Sequence, residues 1–462
     1  MGRWWHWLLG VVGALILAYL IACIAFDAAE PNVEFADIPE NPFVASVPAD
    51  FSWGTATSAH QVEGGNVWND WARFEAEPGK VRGGVESGLA ADHWNRMPED
   101  VALMQAIGAN AYRFSIEWSR VEPEEGVWSQ EAWWHYQDEV GQLRDAGIEP
   151  MVTLLHFTLP AWIAERGGAT ASDFAERFGR FAAEAARRLG PQVDLWCTVN
   201  EPNVQMYQGY VEGVWPPGVR NAGQAAQAFA GLLRGHAAAA TAIREEDPGA
   251  MVGAAVNMIV FDPGSRWSLV DWIAAREAGK GFNWAFYDSI EKGRIYFKLA
   301  GFPEIDEPLP ELAGSADFLG LNYYRRNMVR FTPGAPGLVT IMPGPGQLSD
   351  TGVEIYPEGL LRLLRRAWKR YGLPIYVTEN GVSDSSGVHR PGFVRSHAYA
   401  VGRALDEGID VRGYFHWSLL DNFEWSEGFG PRFGLYRVDY ETLERSLTPG
   451  GREFRRISSL LE

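Results

Sequence analysis

Eight short apolar runs punctuate the chain between residues 51 and 417, at 51–54, 111–114, 150–156, 195–200, 252–257, 318–322, 375–379 and 413–417. Runs of this length, apolar almost throughout, suit strands buried on both faces of a parallel sheet. Between them lie longer stretches, such as 171–189 and 222–245, in which apolar residues return every three or four positions, as on helices covering such a sheet. Eight such repeats predict an α/β chain closed into a (β/α)8 TIM barrel, one domain over residues 50–458. Five of the runs end on His156, Asn200, Asn322, Glu379 and Trp417. The C-terminal ends of barrel strands are where active sites are assembled, so these side chains are expected at one mouth. Long loops around 262–300 and 325–355 are expected to frame the remainder of that mouth.

One apolar run breaks this pattern. Residues 4–26 carry no formal charge over 23 positions, which at ~1.5 Å per residue is enough to cross a hydrocarbon core of ~30 Å. A single transmembrane helix preceding the barrel is therefore expected. Trp4, Trp5 and Trp7 cluster at one end with Arg3 outside them, and Asp27, Glu30, Glu34 and Asp37 follow the other, a bias that puts the domain outside the cytosol. A cleaved signal segment is the competing reading, although its apolar region is usually shorter. Leu20-Ile21-Ala22-Cys23 also resembles a bacterial lipoprotein cleavage box, which would lipidate Cys23. Residues 27–49, with Pro31, Pro39, Pro42 and Pro48, read as an extended spacer between membrane and domain.

Composition narrows the chemistry. Lys and Arg number 40 against 59 Asp and Glu, a formal net charge of -19, so the surface repels phosphate backbones and nucleic acid is excluded as a partner. Only Cys23 and Cys197 occur, and the nine His show no metal-binding spacing, so neither a disulfide framework nor a metal is expected, and no cofactor is implied. Twenty Trp supply flat apolar faces of the kind that hold sugar rings.

Thr198-Val199-Asn200-Glu201 and Tyr376-Val377-Thr378-Glu379 each set a carboxylate just past an apolar strand. Two carboxylates at one mouth meet the requirement for glycosidic cleavage. One protonates the poor leaving oxygen, and the other supplies a negative partner to the oxocarbenium-like transition state.

The motifs Phe51-Ser-Trp-Gly-Thr-Ala-Thr-Ser58, His60-Gln-Val-Glu-Gly64, Tyr112-Arg-Phe-Ser115, Trp118-Ser-Arg120, Thr198-Val-Asn-Glu-Pro-Asn203, Leu321-Asn-Tyr-Tyr324, Thr378-Glu-Asn-Gly381 and Trp417-Ser-Leu-Leu-Asp-Asn-Phe-Glu-Trp425 occur in this order. Together they closely resemble glycoside hydrolase family 1, the β-glucosidase family, over nearly the whole domain. The resemblance implies a retaining β-glycosidase that hydrolyses O-linked β-D-glycosides through a covalent glycosyl-enzyme. It makes Glu201 the acid/base and Glu379 the nucleophile, with carboxyl groups ~5–5.5 Å apart and like-charge repulsion raising the pKa of Glu201. Arg113, Asn322 and Tyr324 correspond to residues that support catalysis, and Asn200 to the one that binds the sugar 2-hydroxyl. Gln61, His156, Glu424 and Trp425 correspond to groups that hold the remaining hydroxyls, and Trp417 to the platform under the ring. A carboxylate at position 424 implies an unphosphorylated sugar, because it would repel a phosphate.

Three positions depart from the family pattern. Phe157 stands where Trp is usual and removes an indole N–H donor, His60 stands where an aromatic is common, and Glu117, where a small residue is frequent, is expected to be a structural ion-pair partner. Glucose, galactose, fucose and mannose remain open. A membrane-tethered member also admits transfer of the glycosyl group to a lipid-linked sugar in place of hydrolysis, and a catalytically inactive sugar-binding barrel is the alternative of another class.

Overall fold

The computed structural model describes residues 3–30, 33–43, 47–299, 301–335 and 338–461. Residues 31–32 and 44–46 of the expected spacer lie outside the described residues. Eight parallel strands form the barrel: β1 (Ser52–Ala56), β2 (Ala111–Ser115), β3 (Glu149–Leu155), β4 (Leu195–Asn200), β5 (Met251–Pro263), β6 (Phe318–Phe331), β7 (Ile375–Asn380) and β8 (Val411–Trp417). Each pairs with its sequence neighbours, and β8 pairs back onto β1 with Ala56 opposite Trp417, so the sheet closes. The (β/α)8 expectation holds in strand number, order and position.

Two strands overrun their expected ends. β5 and β6 stay paired past the barrel rim, from Asn257 opposite Asn322 to Pro263 opposite Val329. Beyond this, β6 turns back as an antiparallel hairpin with Val339–Pro343. Arg325, Arg326 and Asn327 interrupt the apolar run, so the sequence pattern ends the strand at the mouth, whereas pairing with the apolar Met258–Phe261 stretch of β5 continues it.

The covering helices follow the amphipathic stretches. Besides His93–Ala106 and Gln130–Asp145, and with α1 (Arg3–Ala29) preceding the barrel, they include α2 (Phe174–Leu189), α3 (Ala222–Glu246), α4 (Leu269–Gly279), α5 (Pro357–Tyr371), α6 (Arg390–Asp406) and α7 (Pro449–Ser458). Asn221 caps α3 by accepting from the Gly223 and Gln224 amides at 2.9 and 3.1 Å. Small residues let these helices pack closely. A Cβ on Gly231 of α3 would stand 1.8 Å from the Ala169 carbonyl oxygen.

The α1 helix is long and apolar enough to cross a membrane, and most of its side chains face away from protein. Its C-terminal part touches the domain, and the chain after it runs down the barrel wall. Glu30 pairs with Arg362 and Arg366 of α5, the Phe35 ring meets Tyr399 of α6, and Glu40 pairs with Arg395. Phe43 then packs edge-on against Trp53 of β1.

Replacing Gly231 with Ala should lower stability by about 1–3 kcal/mol despite the better helix propensity of Ala, because rigid backbone opposes the new methyl. A lower midpoint in urea at unchanged slope would register it.

Candidate active site

Arg113 enters from the third position of β2 and is almost wholly buried. Its Nε donates to Thr153 Oγ1 at 3.0 Å, Nη1 to the Thr378 carbonyl at 3.2 Å and Glu379 Oε1 at 2.7 Å, and Nη2 to Asn200 Oδ1 at 2.7 Å, with Cys197 Sγ 3.8 Å away. The guanidinium thus joins the ends of β3, β4 and β7. Tyr324 donates to the other oxygen of Glu379 at 2.6 Å.

Glu201 lies across the mouth on a left-handed turn (φ 46°) between β4 and the short helix Pro202–Met206. Its Oε1 accepts from Asn257 at 2.8 Å and from Asn322 at 2.9 Å. The strand register explains the convergence, because Asn322 stands opposite both Asn257 on β5 and Glu379 on β7. Thr378 Oγ1 donates to Asn322 Oδ1 at 2.6 Å, so the Asn322 amide points its Nδ2 at Glu201 and at Asn200 Oδ1.

Asn200 passes this order on. With Oδ1 taken by Arg113 and Asn322, its Nδ2 donates to His156 Nε2 at 3.0 Å, which leaves the ring proton on Nδ1. Burial and the Arg113 charge push the His156 pKa well below its ordinary value, so the ring is neutral. Its Nδ1 has no hydrogen-bond partner among the described residues. The ring lies near parallel to Trp417 at 5.8 Å.

Gln61 Nε2 donates to Asn422 Oδ1, the Phe423 carbonyl and Glu424 Oε2 at 3.0, 2.8 and 3.2 Å. Trp425, with φ 53°, stacks on His60 at 5.7 Å and meets Phe157, itself at φ 72°, edge-on at 5.3 Å. Left-handed backbone is uncommon for such residues, and three cases at one mouth mark a strained site.

Electrostatics separate the carboxylates. Burial first, and the Glu379 charge second, push Glu201 up to about 8. The sequence expectation named only the repulsion; desolvation is the larger cause. Glu424 is pushed to about 8 by the same two causes. Burial also raises Glu379, but Arg113 and Tyr324 oppose it, and of the three only Glu379 has a guanidinium in contact. Near neutral pH Glu201 and Glu424 therefore keep their protons, while the Arg113 contact and the Tyr324 hydroxyl favour the charged form of Glu379 over theirs.

All eleven site residues expected from the sequence lie at this end of the barrel. Glu117 does not meet its expectation. It caps the short helix Trp118–Val121, accepting from the Ser119 amide and hydroxyl, and from Thr158 Oγ1 at 2.9 Å, so hydroxyls rather than a cation satisfy it. Asn257 was overlooked, although it ends an apolar strand as Asn322 does. Arg325 was overlooked too. Its guanidinium makes no hydrogen bond or ion pair among the described residues and lies in the field of Glu201 and Tyr207.

The family model for glycosyl hydrolase family 1 matches residues 44–459. The chain belongs to glycosyl hydrolase family 1. "Beta-glucosidase A" of Thermotoga maritima is 35% identical over 88% of this chain and 96% of its own length. Among solved structures, the family 1 β-glucosidase of Thermotoga maritima superposes with a TM-score of 0.84 at 32% identity, covering 90% of this chain and 99% of its own. The same enzyme has been solved in complex with deoxynojirimycin, with a TM-score of 0.84 at 32% identity over 90% of this chain and 99% of that one. A β-glycosidase from Pyrococcus horikoshii gives a TM-score of 0.82 at 37% identity, over 89% and 95%.

In this family 1 chain the Tyr324 hydroxyl stabilises the ionised form of Glu379. Its removal in Tyr324→Phe should raise that pKa by about one unit, the value of one hydrogen bond to a charged group. The acidic limb of the kcat/KM profile should move to higher pH by the same amount, because the charged form of Glu379 then forms later on the pH scale.

Proposed function

We propose that the chain hydrolyses O-linked, unphosphorylated β-D-glycosides with retention of configuration, Glu379 serving as nucleophile and Glu201 as acid/base. The observation that carries this reading is the chain of contacts Glu201–Asn322–Asn200–Arg113–Glu379, which joins a carboxyl group pushed up to about 8 to one whose charged form is favoured by a guanidinium in contact.

The chemistry follows from that asymmetry. Glu379 attacks the anomeric carbon while Glu201 gives its proton to the departing oxygen. Once Glu379 is an ester its charge is gone, the repulsion that raised Glu201 vanishes, and Glu201 takes a proton from water, which attacks from the opposite side. The His156 Nδ1–H, Gln61 and Glu424 serve as partners for sugar hydroxyls, Asn200 for the 2-hydroxyl, with Trp417 beneath the ring and Trp425 in the wall. A phosphorylated sugar would bring a dianion beside Glu379 and Glu424 in a buried site, where unpaired charge is expensive. The named activities of the relatives support the same reading.

We further propose that residues 4–26 anchor the protein by one helix, that 27–49 join it to the catalytic domain 50–458, and that this domain lies outside the cytosol. The packing of Tyr19, Cys23 and Phe26 against the domain favours a retained helix over a cleaved signal or a lipid-bearing Cys23. An intact N-terminus by mass spectrometry of the membrane fraction is the expected result. A chain starting after residue 22 would refute the retained helix.

Glu379→Ala should abolish turnover, and wild-type turnover in it would refute the mechanism. Glu201→Ala should cost about 10²–10⁴-fold in deglycosylation, the usual range for a general acid/base. Added azide should restore its rate and yield the β-glycosyl azide. With an alkyl β-glucoside, which needs protonation to leave, kcat/KM should fall as pH rises through about 8, where Glu201 loses its proton. That limb should be missing from Glu201→Gln.

A further inference from the structure

The α1 helix does not stand clear of the catalytic domain. The Tyr19 hydroxyl donates to the Trp267 carbonyl at 3.2 Å and accepts from the Leu269 amide at 3.0 Å. Phe26 stacks on Trp272 at 6.0 Å, Asp27 pairs with Arg266 at 2.9 Å, and Cys23 between them is buried. These contacts bind the last third of α1 to α4 and to the loop before it.

The depth of this contact follows from helix geometry. The part of α1 before Tyr19, residues 4–18, covers only ~22 Å at ~1.5 Å per residue, against a hydrocarbon core of ~30 Å. A helix that crosses the bilayer with Trp4, Trp5 and Trp7 at one interface must therefore take Tyr19 and roughly the next turn into the membrane as well. The start of α4, hydrogen-bonded to Tyr19, is held at that depth.

The surface of α4 beside this contact is apolar. Trp267, Val270 and Ile273 are 52, 49 and 48% exposed. Asp271 on the same turn is buried and Arg266 before it is paired with Asp27, so the next exposed charges are Arg276, Glu277 and Lys280, about one turn later. Next to them is the tip of the β6 hairpin, with Phe331, Leu338 and Ile341 exposed, fastened to α4 by the Phe331 amide donating to Asp271 at 2.9 Å. These side chains form an apolar rim continuous with the transmembrane helix and include an exposed Trp, a residue suited to the interface.

We propose that this rim, the first two turns of α4 with Phe331, Leu338 and Ile341 of the β6 hairpin, lies in the interfacial layer of the bilayer that α1 spans. The inference rests on the retained-anchor reading above and goes beyond it, since an anchor alone would let the domain tumble on its tether. Because β5 runs from Asn257 at the level of Glu201 up to Pro263, just before α4, the rim stands at the C-terminal end of the barrel. The active-site mouth then opens at the membrane-facing end of the domain.

The test uses the full chain reconstituted in phosphatidylcholine vesicles containing a doxyl-labelled phosphatidylcholine. Ile273→Cys, labelled with an environment-sensitive fluorophore, is compared with Glu246→Cys at the opposite end of the barrel; both native cysteines are buried. The rim position should lose fluorescence to the doxyl lipid and resist aqueous iodide, with the reverse at position 246. Protein that floats with the vesicles while the label at 273 is quenched by iodide as strongly as at 246 would overturn the rim and leave the anchor standing. A label shielded from iodide and untouched by the doxyl lipid would mean that protein covers the surface, and would overturn it too. Failure to float at all would overturn the anchor and the rim together.

Discussion

The geometry of the mouth depends on the burial of one guanidinium. Removing a cation from water costs several kcal/mol unless every donor is met. Arg113 meets that demand with Thr153, the Thr378 carbonyl, Glu379 and Asn200, with the Cys197 sulfur alongside. Because the partners come from three other strands, satisfying Arg113 brings those strand ends to fixed positions. It also orients the Asn200 amide, which fixes the proton of His156. One charge therefore sets a carboxylate, an amide and a tautomer.

It also assigns the protons. Glu201, Glu379 and Glu424 share a buried mouth with a single guanidinium in contact with any of them, and that contact goes to Glu379. Desolvation and mutual repulsion then hold the other two at about 8. In the mechanism proposed above, Arg113 loses its counter-charge when Glu379 becomes an ester, and its field already acts to lower the pKa of Glu201. On that proposal Glu201, kept an acid by burial and by its neighbour's charge, becomes a base when that charge is spent. No movement of either side chain is required.

The barrel was legible because strands buried on both faces are almost continuously apolar, and covering helices repeat every three or four residues. Polar residues at the ends of such runs marked the site, which is how Asn200, Asn322 and Glu379 were found. Asn257 carries the same mark, but none of the family motifs surrounds it. Glu117 was misread because a capping carboxylate and a paired one look alike until the backbone of Ser119 is placed. The left-handed backbone at Phe157, Glu201 and Trp425 has no signature in side-chain pattern, since residues of these types rarely adopt it. The overrun of β6 escaped because Arg325, Arg326 and Asn327 break its apolar run, and pairing with β5 and with Val339–Pro343 makes it a strand.

That overrun connects the two ends of the functional reading. The same paired strands that place Asn257 and Asn322 on Glu201 continue upward into the base of α4 and the hairpin. Two hydrogen-bonded strands form a stiffer link than a loop, so the distance between the carboxylates and the apolar rim is set by strand length at ~3.3 Å per residue. Their extension puts the Tyr324 hydroxyl on Glu379, and it also gives α4 a rigid base and α1 a surface to pack against. The orientation of the mouth relative to the N-terminal helix is thus built into the strands that carry the site, rather than left to the segment after Ala29.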